Sequence, residues 1–158
     1  MSGEQGGTIG DVRTAADPTR QTLTGNAGFL LARAAGRSIR SLNRALEPFD
    51  MRSRHYTVLM AAAEHGGLSQ REIGGLLGID PSAVVALVDD LQRVGYVRRD
   101  PHPEDRRTRL VVVTDAGRDV LARASGLAAQ VHDKILAPLS PDERALLITL
   151  LRRIATAD

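Results

Sequence analysis

The chain has 158 residues, 42% of them hydrophobic, a formal net charge of +2 and no cysteine. That length supports one ordinary domain with a real core, and the missing thiols exclude disulfides, thiolate metal sites and a cysteine redox switch. No apolar run approaches the roughly 20 residues needed to cross a bilayer, and residues 1–20 hold no apolar signal-peptide segment; a soluble cytoplasmic protein with no membrane partner is expected. The basic residues are Arg almost throughout, with Lys134 the single lysine. Arg suits phosphate and base recognition, but biased codon usage gives the same composition, so position must decide.

Residues 1–20 are rich in Gly, Thr, Asp and Arg and read as a loosely held arm with too little apolar surface to repay ordering. From Thr24 to Leu46 a helix fits, because Leu31, Ala35, Ile39, Leu42 and Leu46 recur at helical spacing before Pro48 stops it. Arg33, Arg37, Arg40 and Arg44 make a second stripe on it, either a solvated face or a contact with phosphates or a second subunit. Ser53 is a plausible N-cap for a helix to Glu64, which Gly66-Gly67 ends. Leu68 fits a short strand. Ser69 and Glu72 form a capping box for a third helix, whose Ile73, Leu76 and Leu77 are expected to face inward, and Gly78 supplies a turn.

Asp80-Pro81 opens the next helix with an N-cap followed by proline at the first position. Its inward stripe is Val84, Leu87, Val88 and Leu91, and Gly95 closes it. Tyr96-Val97 begins a strand, 98–109 is a Pro-, Asp- and Arg-rich hairpin tip, and 110–113 returns. Thr114 caps a long helix to Leu136, Pro138 breaks it, and Ser140/Glu143 caps a last helix through Ile154.

Two short helices joined by a tight turn and followed by a basic two-stranded loop make a winged helix-turn-helix. The expected fold is therefore mainly α with a small β-wing: a loose arm over 1–20, a helical dimerisation region from 21–48 and 114–158, and a winged helix-turn-helix DNA-binding domain over 53–113. The apolar stripes of the end segments lie far in sequence from that unit. Packing across a homodimer covers them economically; an intramolecular bundle is the alternative.

On a wheel of the helix from Pro81, Ser82, Ala86, Asp89 and Arg93 line the outward face, with Ala83 and Val85 beside it. Small residues let a helix backbone approach the floor of a DNA groove, and their methyls can touch thymine methyls. No Arg, Asn or Gln stands in the first two turns for a bidentate base contact, so base readout should be modest. Asp89 would repel phosphates unless paired with an Arg of the hairpin. Segment 92–109 holds six Arg against three carboxylates, so it alone carries +3. Positive charge focused on such a tip suits a narrow A/T minor groove, although a solvated charged loop is the plainer reading.

The run Leu68-Ser-Gln-Arg-Glu-Ile, Gly78-Ile-Asp-Pro-Ser, Leu87-Val-Asp-Asp-Leu, Gly95-Tyr-Val-Arg-Arg, Pro103-Glu-Asp-Arg-Arg and Val113-Thr-Asp-Ala-Gly resembles the multiple antibiotic resistance regulator (MarR) family over about residues 25–155. The wing motif Asp-x-Arg followed by Thr-x-x-Gly is its most diagnostic part. This resemblance implies a homodimeric transcriptional regulator, usually a repressor, with two winged domains on a pseudo-palindromic site in double-stranded DNA. DNA contact is then expected from Ser69, Gln70, Ser82, Ala83, Val85, Ala86, Arg93, Arg106, Arg107 and Thr108, with Asp89 and Asp105 structuring the wing. Members often have Thr-Arg where this chain has Val85-Ala86, which shifts weight toward the wings, phosphates and DNA shape.

Members also commonly bind small aromatic or phenolic anions in a cleft beside the dimer region. Arg37, Arg54, His55 and Tyr56 are the polar candidates for such an effector here; capping, packing or solvation is their plainer role. The four histidines show no tight ligand spacing, so neither a metal nor any other cofactor is expected. No nucleophile motif appears, so an enzyme is not expected. A winged-helix protein-interaction module and a nonspecific nucleoid-associated DNA binder remain as rival readings.

Overall fold

The computed structural model describes residues 22–156 apart from Arg106. The N-terminal arm expected over 1–20 and the wing's Arg106 therefore lie outside the described residues. The chain divides into two units, Met1–Ala34 and Ala35–Asp158. In the first, a 3-10 turn over Leu23–Gly25 precedes the start of helix α1 (Ala27–Leu46), and the Asn26 side chain accepts the Phe29 N–H at 2.9 Å. The helix thus begins three residues later than Thr24, at the residue that an Asn cap makes available.

The second unit holds the rest of α1, a 3-10 turn over Glu47–Phe49, α2 (Ser53–Glu64), β1 (Leu68–Ser69), α3 (Gln70–Leu77), α4 (Pro81–Arg93), β2 (Val97–Pro101), β3 (Arg109–Val113), α5 (Asp115–Leu136) and α6 (Pro141–Ala155). Its sheet is antiparallel in the order β1-β3-β2, with Val97 opposite Val113, Pro101 opposite Arg109, and Leu68 opposite Val111. The result is mainly helical with a small three-stranded sheet.

The core gathers the apolar stripes. Val84, Val88 and Leu91 recur at steps of four and three, so one face of α4 is wholly buried. That face meets Leu46, Val58, Leu59, Ile73, Val97 and Val111 in one cluster. Val111 and Val113 alternate with half-buried neighbours, as a strand with one covered face requires. Each such side chain stabilises the fold by about 1.5–3 kcal/mol.

Two local expectations fail. Ser53 is the first helical residue of α2, and Arg52 is the N-cap. The Ser53 N–H donates to Asn43 Oδ1 at 2.7 Å and the Arg52 N–H to His55 Nδ1 at 3.0 Å. An imidazole and a neighbouring amide thus satisfy the free donors that a serine cap would have served. Leu76 points outward and is 54% exposed. Helix α3 has only two turns, and Ile73, Gly74 and the half-buried Leu77 already occupy its inward line.

Helix α6 buries none of its residues; Leu146, Ile148, Leu150, Leu151 and Ile154 are each 40–60% exposed. Ile39 on α1 is 49% exposed. No helix of the described residues is long and apolar enough to cross a membrane.

Candidate nucleic-acid interface

The helix-turn-helix is set by three local devices. Ser69 caps α3, its hydroxyl accepting the Glu72 N–H at 3.2 Å while Glu72 accepts the Ser69 N–H at 2.8 Å. The Ser69 hydroxyl also donates to the Glu72 carboxylate at 2.7 Å, and this bond first, then that of the Ser69 amide, holds the Glu72 carboxyl below its ordinary range. Gly78 adopts the left-handed conformation (φ 60°) that ends α3. Gly74 lets the two helices close: a Cβ there would stand 3.1 Å from the Ile79 carbonyl oxygen. Asp80 then caps α4 by accepting the Ser82 N–H at 2.8 Å, and the Ser82 hydroxyl donates to the same carboxylate. Both bonds, the hydroxyl first, lower the Asp80 pKa.

With 84, 88 and 91 buried, α4 turns Ser82, Val85, Ala86, Asp89, Gln92 and Arg93 outward, and Ala83 is half-buried. The polar residues at its far end are held within the protein. The Arg99 guanidinium, from β2, donates through Nη2 to Asp89 Oδ1 at 2.6 Å, through Nη1 to Gln92 Oε1 at 2.6 Å and through Nε to Gln70 Oε1 at 2.9 Å. One side chain, 25% exposed, thereby fastens the wing to both helices. Arg93 lies elsewhere, 3.2 Å from Asp90 and 3.9 Å from Asp50.

The wing tip is built around two acceptors. Asp105 accepts the Arg107 N–H at 2.9 Å and the Thr108 hydroxyl at 2.7 Å, while its carbonyl accepts the Thr108 N–H at 3.0 Å. The Thr108 hydroxyl, then the Arg107 amide, pull the Asp105 pKa down. His102 Nδ1 accepts the Glu104 and Asp105 N–H groups at 3.1 and 3.2 Å. Arg107 is exposed on this tightened loop. Between wing and α3 lies a cleft of about 360 Å³ lined by Ser69, Gln70, Arg71, Arg99, Arg107, Thr108 and Arg109, with no carboxylate in its wall. Arg71, Arg107 and Arg109 pair with no carboxylate among the described residues.

The wing is joined to the following helix by the Thr-x-x-Gly element. Thr114 caps α5, its hydroxyl accepting the Gly117 N–H at 3.0 Å and donating toward the Gly95 and Tyr96 carbonyls at 2.7 and 3.2 Å. A Cβ on Gly117 would stand 2.0 Å from the Tyr96 carbonyl oxygen, so only glycine fits.

A second cleft, of about 550 Å³, is lined by Asn43, Arg44, Glu47, Asp50, Met51, Arg52, His55, Asp90 and Arg93. His55 spans it: Nδ1 accepts from the Arg52 amide, so in its neutral form Nε2 carries the proton toward Asp90 Oδ2, 3.3 Å away. Arg93 first, then His55, lowers the Asp90 pKa. Of the four effector candidates, only His55 is here. Tyr56 is buried with its hydroxyl 3.2 Å from Ser125 Oγ on α5, and Arg37 and Arg54 are exposed outside the wall. Sequence reasoning counted Arg99 and Arg109 only in the hairpin's charge total, expected a hairpin Arg on Asp89 without identifying Arg99, and did not single out Arg71. The one available signal for Arg99 was a pair of acceptors, Asp89 and Gln92, three residues apart on one helix face. Among the described residues no group of three or more His, Asp or Glu side chains could hold a metal ion.

A capped helix-turn-helix locked to a stapled basic wing defines a winged-helix protein of the kind that handles nucleic acid. A model of the MarR family matches residues 49–108. The chain is 30% identical to the multiple antibiotic resistance protein MarR of Escherichia coli over 116 residues, covering 73% of this chain and 81% of that one. The crystal structure of CouR from Rhodococcus jostii RHA1 bound to p-coumaroyl-CoA superposes with a TM-score of 0.79 at 32% identity, covering 87% of this chain and 96% of CouR. A mutant of Escherichia coli MarR complexed with operator DNA superposes with a TM-score of 0.74 at 29% identity, covering 80% and 91%. The chain belongs to the MarR family of DNA-binding transcriptional regulators.

Proposed function

We propose that this chain is a ligand-responsive repressor and not an enzyme, working in the cytoplasm as a homodimer on a pseudo-palindromic operator. Helix α4 enters the major groove through Ser82, Ala83, Val85 and Ala86, and the wing over 98–109 carries Arg107 into the adjoining minor groove. Ser69, Gln70 and Thr108 border the Arg71/Arg107/Arg109 cleft, which has the charge and the open shape to seat a backbone phosphate. Asp89 and Asp105 act as wing-structuring acceptors. The observation that carries this reading is the Arg99 lock: it holds the wing and α4 as one rigid unit, so two elements can meet two grooves in fixed register.

The helical segments 21–48 and 114–158 serve dimerisation, and residues 53–113 serve DNA binding. Support for the dimer comes from α6, an amphipathic helix whose apolar residues stay exposed in the single chain; a patch of that kind marks an association surface. For the effector, support for a small aromatic or phenolic anion comes from the p-coumaroyl-CoA complex of CouR; the cleft around His55 would offer it Arg44, Arg52 and Arg93, against the carboxylates of Glu47, Asp50 and Asp90. Such a ligand would compete with Asp90 for His55 and Arg93 and so act on the end of α4.

Mobility shift with the chain's own upstream DNA against random duplex, at 50 and 200 mM salt, tests the reading. A dimer neutralising roughly 6–10 phosphates should prefer its own DNA and lose about 10³-fold or more in affinity between those salts. A protein-interaction module would show neither effect, and a nucleoid protein would keep the salt slope without the preference. Sedimentation as single chains at working concentration would also overturn the proposal.

A further inference from the structure

Most of the hydrogen-bonding capacity on the groove face of α4 is spent within the protein. The Ser82 hydroxyl proton is given to Asp80. Asp89 and the oxygen of Gln92 are taken by Arg99, and Arg93 is turned onto Asp90 and Asp50. A glutamine reads adenine with its oxygen and its nitrogen together, so Gln92 cannot make that contact while Arg99 holds the oxygen. Gln70, at the head of α3, is engaged in the same way. Beyond the Gln92 amide nitrogen and the Ser82 lone pairs, what α4 offers is hydrocarbon: the Ala86 methyl and the two methyls of Val85, a residue left 40% exposed.

Three features suit Val85 to a contact with bases. It projects furthest among small neighbours, Ser82 and Ala86, which let the helix backbone come close to the groove floor. Its β-branched side chain has one strongly preferred rotamer in a helix, so its methyls are already positioned before binding. Its exposed apolar surface leaves water only if something apolar covers it. The major groove presents one apolar group, the C5-methyl of thymine.

We infer that direct readout by α4 goes to thymine C5-methyl groups, with Val85 as the specificity-determining side chain and Ala86 as the close-approach position beside it. This rests on the operator-binding reading above. Hydrogen-bonded base recognition by α4 contributes little, and the ligand chemistry that this helix selects is a T·A pair with its methyl facing the helix.

The probe is a duplex selected by the full-length protein from a random-sequence library, then remade with deoxyuridine replacing each thymine in turn. Deoxyuridine keeps every hydrogen-bonding group and removes only the methyl. Loss of one buried methyl should weaken binding roughly fourfold, and symmetric replacement in both half-sites about fifteenfold. In a duplex remade with C·G at that step, 5-methylcytosine in place of cytosine should strengthen binding by a similar factor. Val85→Ala, at an exposed position where alanine favours helix, should still bind the selected duplex but no longer distinguish thymine from uracil. Tight, selective binding that ignores deoxyuridine at every position overturns the inference and leaves the operator reading standing. Failure to select or bind any duplex overturns both.

Discussion

Arg99→Ala separates a structural lock from a DNA contact. The wild-type guanidinium makes three hydrogen bonds of 2.6–2.9 Å to Asp89, Gln92 and Gln70. Hydrogen bonds to charged groups contribute about 1.5–3 kcal/mol when buried. Here Asp89 is 60% exposed, so water competes and the ion-pair part falls to at most about 1 kcal/mol. The two amide bonds add a net of about 0.5–1.5 kcal/mol each. Since bonds sharing one donor group are not additive, the expected loss is about 1.5–3 kcal/mol, seen as a lower urea midpoint with an unchanged m-value. Arg99→Lys should recover little of it, because a lysine cannot place a planar fork on three acceptors. DNA affinity should fall in both variants, since Asp89 is then freed beside phosphates and the wing loses its register with α4. The logarithmic salt slope should stay unchanged, because Arg99 meets no phosphate in this scheme. A slope reduced by roughly 2 per dimer, with the urea midpoint unmoved, would refute the reasoning and make Arg99 a phosphate ligand.

Arg107→Ala should sharply reduce operator preference, leaving only the thymine-methyl discrimination of Val85, whereas Ala86→Ser should change affinity by less than about threefold; operator titrations with the reverse ranking would count against the wing as the principal reader. The Asp105 carboxylate is held below its ordinary value near 3.8 by Thr108 and the Arg107 amide. A depressed folded pKa contributes stability that is fully present above the unfolded value and lost as pH falls through the folded one, so wing-tip order should fade only below about pH 3.8. Amide exchange at Arg107 and Thr108 in an acid titration would follow it, and Asp105→Asn should remove the pH dependence. Gly117→Ala should lower stability by about 3 kcal/mol or more, because the added carbon meets a backbone oxygen at 2.0 Å; a thermal midpoint within a degree or two of wild type would contradict the geometry.

What the sequence revealed, and what it hid, divides by range. Helices α3, α4, α5 and α6 were legible because their caps act over two or three residues: Ser69 with Glu72, Asp80 with Ser82, Thr114 with Gly117, Ser140 with Glu143. The inward stripe of α4 was legible because burial at 84, 88 and 91 is a property of one helix. Leu76 was misjudged because a two-turn helix is too short for its period to say which of two adjacent leucines faces in. The start of α2 was misjudged because Asn43, ten residues away on another helix, supplies the missing acceptor.

The interface was hidden for the same reason, at longer reach. Arg99 finds partners 7, 10 and 29 residues back along the chain; the sequence implies that Asp89 needs an Arg of the hairpin, but local pattern neither says which one nor adds Gln92 and Gln70. Charge counting therefore credited Arg99 to the DNA-seeking total, whereas the fold uses it on Asp89. Asp89 lies outside segment 92–109, so its pairing with Arg99 lowers the hairpin's effective charge toward DNA from +3 to +2, in exchange for the wing-structuring role that an Asp89 pair with a hairpin Arg implies. A regulator whose wing is tied to α4 gains more from fixed register than from one further free cation: an exposed surface charge adds a screened, sequence-independent attraction, but a wing and a helix in one rigid body present both grooves with their contacts without a fresh cost in ordering.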